Sequence, residues 1–152
     1  MLKRIYLDTS IYGGYFDIEF EVWTKILFSQ IANNEFLVLY SYLIELEISY
    51  APKQVQLLVN SIPIKNKELI NFSDKAVELA SLYIKENVVG LTSISDCIHI
   101  ALATINNADV LVSWNFKHIV NVDRIRGYNS VNLSRGYKAL DIRTPNEILN
   151  YE

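Results

Sequence analysis

Short apolar runs alternate with longer helical patterns along this chain. The runs occupy residues 5–7, 36–40 and 110–112, with a weaker candidate at residues 140–142. Runs that lack polar alternation are typical of strands buried on both faces, as in a parallel sheet. The helical patterns lie between them, at roughly residues 20–33, 42–50, 52–60, 73–86 and 95–107. This order predicts an α/β fold, a three-layer α/β/α sandwich with a central parallel sheet.

The length of the chain indicates how many domains this sheet can belong to. At 152 residues the chain matches one compact domain, which can bury a core without disulfides or structural metal. No internal repeat or linker-like tract divides the sequence, and only residues 106–107 and 127–130 are typical of plain loops. We therefore expect a single domain over residues 1–152.

Composition limits the compartment and the class of protein. Cys97 is the single cysteine, so no intrachain disulfide can form, and a reducing cytoplasm fits best. The sequence has no apolar run near the roughly 20 residues that span a bilayer, which indicates no membrane role. A formal net charge of -3 argues mildly against broad capture of nucleic acid, although carboxylates clustered around a metal would also make the total negative.

The polar residues that follow the apolar runs are the first candidates for chemistry, because ligands bind beyond the carboxyl ends of parallel strands. Asp8, Thr9 and Ser10 follow the first run. They offer a carboxylate and two hydroxyls, oxygen ligands that suit Mg²⁺ or Mn²⁺. The same residue types are also favoured as helix caps and turn residues, so the sequence supports both interpretations.

A second carboxylate is expected from the helical pattern after residue 41. Glu45 and Glu47 are two positions apart and diverge by about 200° on a helix, so they cannot face one site together. Glu47 shares its face with apolar residues, where a carboxylate is costly unless it is paired or binds a metal. We take Glu47 as the candidate, and the alternative is a glutamate at the rim of an amphipathic face.

A third acid lies in the first turn of a pattern that is apolar nearly all round, residues 96–105. Such a helix is buried, and Asp96 has no structural need there, because Ser93 and Ser95 can cap the helix. Metal coordination would supply a need, and the alternative is stabilisation of the helix dipole. His99, one turn later, is a candidate for orienting a ligand or meeting a phosphate, or else a hydrogen-bonded core residue.

The run at residues 110–112 leads to a mixed segment that contains Trp114, Asn115, Phe116, Lys117 and His118. Asn115 can give an oxygen to a hard cation but brings no charge. Lys117 and His118 are candidates for contact with a substrate phosphate, and Lys117 is alternatively a solvated surface residue. The aromatic side chains on either side of Asn115 also fit simple packing.

These segments together resemble the PIN domains, a family that includes the VapC-type toxins of bacterial and archaeal toxin–antitoxin pairs. The resemblance covers nearly the full length and rests on four segments, at residues 7–10, 41–47, 96–101 and 112–118. PIN domains are metal-dependent ribonucleases, so the resemblance implies cleavage of RNA with Mg²⁺ or Mn²⁺ held by Asp8, Glu47 and Asp96. It also implies an antitoxin protein as a partner and dimerisation with a second copy.

The chain departs from the PIN pattern at the fourth acidic position, where it offers Asn115. One alternative is therefore a PIN-like module that binds RNA or protein without cutting. A phosphatase or receiver-like protein with Asp8 as nucleophile is a weaker alternative, because it would normally have another acid beside Asp8, where Thr9 and Ser10 stand.

Three carboxylates around one site repel each other when no cation is present. Two like charges about 4 Å apart repel by ~4 kcal/mol at an effective dielectric of about 20. We therefore expect the metal-free acids to be partly protonated or disordered.

Overall fold

A parallel sheet forms the centre of the fold. The computed structural model describes residues 2–149, so the predicted domain, residues 1–152, extends slightly beyond the described range. The strands are β1 (Lys3–Leu7), β2 (Phe36–Ser41), β3 (Lys67–Ile70), β4 (Val110–Val112) and β5 (Ile142–Arg143). They lie in the order β3-β2-β1-β4-β5, and each pairing is parallel. The predicted central parallel sheet is confirmed.

Helices cover the sheet in two groups. The first group is α1 (Thr9–Gly14), α2 (Glu21–Ala32), α3 (Tyr42–Ser49) and α4 (Lys53–Ser61), in which α1 contacts the other three. The second group is α5 (Asp74–Lys85), α6 (Ile94–Ile105) and α7 (Val122–Ser134), in which α5 contacts the other two. A short α8 (Pro145–Ile148) packs against α2, and 3₁₀ turns occupy Ile64–Asn66 and Leu91–Ser93. This is the predicted three-layer sandwich, and α2 to α6 match the predicted helices within two residues.

The inner strands are buried because they carry apolar side chains on both faces. Ile5, Tyr6 and Leu7 of β1 are fully buried, as is nearly all of β4. Parallel strands of this kind need a helical layer on each side, which the two helix groups supply. Every helix among the described residues is too short or too polar to cross a bilayer.

The strand order reverses beside β1, which lies between β2 and β4. Open parallel sheets bind ligands at such a switch point, beyond the carboxyl ends of the strands. Asp8 follows β1, Ser41 ends β2 and Ser113 follows β4, and all three are buried. The fold therefore brings polar side chains from three neighbouring strands to one edge of the sheet.

The prediction of a plain loop at residues 127–130 is wrong, because these residues lie inside α7. Glycine, asparagine and serine favour turns, but tertiary contacts outweigh that preference here. A Cβ on Gly127 would lie 2.7 Å from Val88 Cγ1, so α7 packs this closely only with glycine. The hydroxyl of Tyr128 donates to the carbonyl of His118 at 2.6 Å. Packing therefore selects the helix that local propensity does not.

Three short elements also differ from the predictions. Among the described strands β3 pairs only with β2, so it is an edge strand, and its Leu69 is 76% exposed. These features explain why it was not predicted. β5 begins two residues later than the predicted run at residues 140–142. α1 was not predicted either, since its two glycines lower helix propensity, whereas its buried Ile11 and Tyr12 anchor it to the core.

Candidate active site

Asp8 is held at the carboxyl end of β1 by two serines. Its Oδ1 accepts a hydrogen bond from Ser10 Oγ (2.6 Å), and its Oδ2 accepts one from Ser113 Oγ (2.8 Å). Asp8 occupies the N-cap position of α1, but its side chain makes no capping hydrogen bond. The cap interpretation of Asp8 is therefore wrong, and the carboxylate is fixed between α1 and the segment after β4.

Burial changes the acid–base behaviour of Asp8. The residue is 3% exposed, and this burial raises the pKa of Asp8 from 3.8 to about 6. The nearby His99 and the hydrogen bonds from Ser10 and Ser113 oppose the rise, while the charge of Asp96 adds to it. Asp8 is thus ionised at neutral pH at a cost to the stability of the fold.

We expect the free energy of unfolding of the metal-free protein to fall as the pH rises from about 4 to about 6. In this window the folded state holds the Asp8 proton more tightly than the unfolded chain does. The protonated Asp8 therefore stabilises the fold below about pH 4, and up to about 3 kcal/mol of this stability is lost as the pH rises to about 6. Asp8→Asn removes the ionisation, and Ser113 can turn its hydroxyl to accept from the new amide. The variant is therefore expected to be more stable than the wild type at about pH 7.5 but not at about pH 4. Urea unfolding in EDTA measures both, and an equal pH dependence in the two proteins would contradict the burial argument.

Glu47 is the second acid, and it is held through one oxygen. Its Oε1 accepts a hydrogen bond from Thr9 Oγ1 (2.9 Å) and lies 2.5 Å from His99 Nε2. Burial acts to raise the pKa of Glu47, but the hydrogen bond and charge of His99, with the hydrogen bond from Thr9, together lower it. Glu45 is exposed. The helix thus directs Glu47 toward His99 and Glu45 toward solvent, and the choice of Glu47 as a metal ligand stays a prediction.

His99 is a buried member of a chain of hydrogen bonds. Its side chain is 3% exposed, and its Nδ1 lies 2.6 Å from the hydroxyl of Tyr6. That hydroxyl lies 3.0 Å from Ser41 Oγ, which accepts the N–H of Ile44 in α3. His99 is thus a hydrogen-bonded core residue, one of the two interpretations that the sequence left open. It also contacts Glu47.

Asp96 is half-buried in the first turn of α6, where the Asn115 side chain reaches it. Burial raises the pKa of Asp96, while the charges of His99 and His118 and a hydrogen bond from Asn115 oppose the rise. The Oδ1 of Asn115 accepts the His118 N–H at 3.0 Å, so the amide nitrogen of Asn115 is the group that faces Asp96. The expectation that Asn115 offers an oxygen to a cation stays a prediction, because an amide oxygen has two lone pairs and the His118 N–H occupies one of them.

The start of α6 is not capped as predicted. Ser93 occupies the N-cap position but makes no capping hydrogen bond, and its buried Oγ has no partner within residues 2–149. Ser95 is exposed. Dipole stabilisation and metal coordination both remain compatible with Asp96 in this first turn.

The segment after β4 has a buried part and an open part. Trp114 is buried, stacks on Phe20 with 4.5 Å between ring centroids, and donates from Nε1 to Thr24 Oγ1 at 2.9 Å. The packing interpretation therefore holds for Trp114. Phe116 and Lys117 are exposed. His118 is half-buried, and its buried Nδ1 has no hydrogen-bond partner among the described residues.

The three acids share one electrostatic environment. The charge of Asp96 raises the pKa of Asp8, and the charge of Glu47 raises that of Asp96. The expected shift toward protonation thus fits Asp8 and Asp96, but burial is its larger cause, and Glu47 shifts in the opposite direction. Within residues 2–149 no group of three or more His, Cys, Asp or Glu side chains is arranged to hold a metal ion as it stands.

Two residues of this site were missed in the sequence. Ser113 donates to Asp8 and accepts the Asn115 N–H (2.9 Å). It directly follows an apolar run, as Asp8 does, so the same signal could have found it. Tyr6 lies inside a buried strand, where a tyrosine hydroxyl usually needs a partner, but nothing in the sequence pairs it with His99. That pair depends on contact between β1 and α6.

Comparisons with known proteins support the fold. Neither protein-family models nor curated proteins gave a match to the sequence. Among solved structures, the chain is similar to a chain of VapBC2 from Rickettsia felis bound to a DNA fragment from their promoter, with a TM-score of 0.57 and 18% identity over 93% of this chain and 98% of that one. It also aligns with tyrosyl-tRNA synthetase from Aeropyrum pernix, with a TM-score of 0.48 and 8% identity over 94% of this chain and 53% of that one. The first likeness confirms the predicted PIN-like fold.

Proposed function

We propose that this chain, with its PIN-like fold, is an endoribonuclease that depends on Mg²⁺ or Mn²⁺ and hydrolyses RNA phosphodiesters. The observation that carries the proposal is the grouping of Asp8, Glu47 and Asp96 at the switch point of the sheet, where their charges act on one another. Grouped and partly buried carboxylates are destabilising on their own, and a divalent cation would offset that cost.

The three acids fit such a cation by their chemistry, because carboxylate oxygens are the ligands that Mg²⁺ and Mn²⁺ prefer. Asp8, Glu47 and Asp96 would hold it. Asp96 is half-buried and would turn toward Asp8 and Glu47, since the side chains are not arranged to hold a metal as they stand. When bound, the cation would make a water molecule more acidic and offset negative charge on the phosphate.

The neighbouring residues orient the acids and exclude water from part of the site. Ser10 and Ser113 fix both oxygens of Asp8. Asn115 donates to Asp96 and is itself anchored by the His118 N–H, so it orients an acid without adding charge. These contacts are consistent with a nuclease site in which three acids hold the cation and Asn115 orients one of them.

The likeness to VapBC2 supports extending the proposal to the toxin of a toxin–antitoxin pair. In that case an antitoxin protein would be a partner, and a second copy of the chain would complete a dimer. A reducing cytoplasm suits the protein, because Cys97 is buried and unpaired.

Incubation of the wild type with a pool of short RNAs and a matched pool of DNAs tests the proposal. With Mg²⁺ or Mn²⁺ present, we expect the RNA pool to be cleaved and the DNA pool to stay intact. In EDTA, we expect both pools to stay intact. Mapping of the product ends gives the cleaved bonds. An intact RNA pool at millimolar cation would overturn the proposal.

The alternative is a PIN-like module that binds RNA or protein without cutting. Asn115 favours it, because the fourth position carries an amide, which brings no charge to a cation. RNA binding measured by fluorescence anisotropy, together with an intact RNA pool, would identify this alternative.

Lys117 is expected to contact a phosphate of the RNA, because it is exposed and follows Asn115 by two positions. Lys117→Ala should weaken binding of single-stranded RNA and lower the slope of log affinity against log salt by about 0.7, the value for one phosphate. Lys138→Ala is the matched control, because Lys138 lines a cleft beside Asp109, which precedes β4 at the opposite edge of the sheet. Anisotropy titrations in EDTA at several salt concentrations measure both slopes. Equal slopes for the two variants would place Lys117 outside the RNA contact.

A further inference from the structure

Ser41, Tyr6 and His99 form a chain of buried hydrogen bonds. Only one assignment of donors and acceptors in this chain gives each of its protons an acceptor. Ser41 Oγ accepts the Ile44 N–H, so the proton of Ser41 itself is directed to the oxygen of Tyr6, 3.0 Å away. The proton of Tyr6 is then directed to His99 Nδ1, at 2.6 Å. His99 therefore accepts at Nδ1, and its own proton lies on Nε2.

The opposite direction leaves groups without partners. With the proton on Nδ1, Tyr6 would donate to Ser41, and the proton of the buried Ser41 would have no acceptor among the contacts of that hydroxyl. A neutral ring would also set the lone pair of Nε2 against a carboxylate oxygen of Glu47 at 2.5 Å. Both arrangements are costly inside a protein.

We propose that Tyr6 and His99 are positioning residues that present one chosen oxygen of Glu47 to the cation, an inference that rests on the proposed function. Tyr6 anchors the His99 ring at Nδ1, and His99 donates from Nε2 to Glu47 Oε1. Thr9 donates to the same oxygen. Among the described residues nothing donates to Oε2, so Oε2 is the atom that Glu47 offers to Mg²⁺ or Mn²⁺.

His99 and Tyr6 act through Glu47 and need no contact with the substrate. Half-buried Glu47 can rotate, and a single hydrogen bond from Thr9 leaves that rotation open. A second bond from a ring that is itself anchored removes it. Loss of such outer partners of a metal-binding group typically weakens metal affinity 10–100-fold.

The direction of the hydrogen bonds can be tested on the metal-free protein. The chain has two histidines, so long-range ¹H–¹⁵N spectra of the imidazoles, with His118→Asn for assignment, identify the nitrogens of His99. We expect a proton on Nε2 and an unprotonated Nδ1 whose resonance shows an accepted hydrogen bond. In Tyr6→Phe that signature should disappear. A neutral His99 ring that carries its proton on Nδ1 in the wild type would overturn the inference.

Calorimetric titration with Mn²⁺ tests the positioning role. Tyr6→Phe and His99→Leu are expected to bind Mn²⁺ 10–100-fold more weakly than the wild type, and His99→Gln, which restores an N–H donor, should recover part of the loss. Tyr83→Phe is the matched control, because its buried hydroxyl donates to Asn132 on α7, and it should bind as the wild type does.

The outcomes separate this inference from the function on which it rests. A wild type that binds Mn²⁺, together with unchanged affinity in both Tyr6→Phe and His99→Leu, would overturn the positioning role alone. An equal loss in Tyr83→Phe would also overturn it, since the effect would then be a general one on stability. A wild type that binds no Mn²⁺ at millimolar concentration would overturn the proposed function and this inference together.

Discussion

Replacement of Asp96 with asparagine is expected to weaken Mn²⁺ binding strongly and to slow RNA cleavage by on the order of 100-fold or more. The amide keeps the shape of the side chain and can still accept from Asn115, so the first turn of α6 should stay intact. The variant loses the charge that the proposed cation needs. Calorimetry with Mn²⁺ and a cleavage assay on the RNA pool measure the two effects on the same protein sample.

Asp123→Asn is the matched control for this variant. Asp123 is exposed and also lies in the first turn of a helix, α7, so its replacement changes a helix-dipole contact without changing the acidic site. Circular dichroism should show both variants folded. Wild-type binding and cleavage in Asp96→Asn would remove Asp96 from the site and favour dipole stabilisation as its role.

Replacement of Gly14 with alanine is expected to lower the free energy of unfolding by about 1–3 kcal/mol, as for overpacking of a core. A Cβ at this position would lie 2.7 Å from Trp114 Cδ1, 2.8 Å from its Nε1 and 3.2 Å from Thr24 Oγ1. The indole would have to move, although it is hydrogen-bonded to Thr24. The backbone N–H of Trp114 donates to Ser10 Oγ at 2.9 Å, so a shift that reaches the backbone of Trp114 would also disturb the serine that holds Asp8.

Gly13→Ala provides the control within the same helix. Within residues 2–149, no atom outside the neighbouring residues and the backbone of the same helix lies within 4 Å of a Cβ at Gly13, so alanine should be neutral there or stabilise the protein by up to about 1 kcal/mol. Urea unfolding of both variants separates the contact with Trp114 from the loss of a helical glycine. If the two alanines changed stability alike, the close contact at Gly14 would not be the cause.

The parts of the fold that the sequence predicts are those in which one local pattern dominates. β1, β2 and β4 are continuous apolar runs, and α2 to α6 have clear helical periodicity. α7 and β3 differ because their stability comes from neighbours: Gly127 fits against Val88, and β3 depends on its pairing with β2. Neither contact leaves a local signal.

The same distinction applies to the site. The strand-end rule predicts Asp8 as a candidate, and helical periodicity favours Glu47 over Glu45, because both rules depend on local geometry. The direction of the Asn115 amide could not be predicted, since it depends on the backbone of His118 and on Asp96. The chain from Tyr6 to His99 joins residues 93 positions apart, and no short motif marks such a pair.

The distance along the chain between the parts of the site has a consequence for protein synthesis. β1 can pair with β2 early, because about thirty residues separate them. The contact between Asp8 and Ser113 spans 105 positions, and it forms only after β4 has left the ribosome. A nascent chain therefore lacks the contact that holds Oδ2 of Asp8 until most of the protein has been translated.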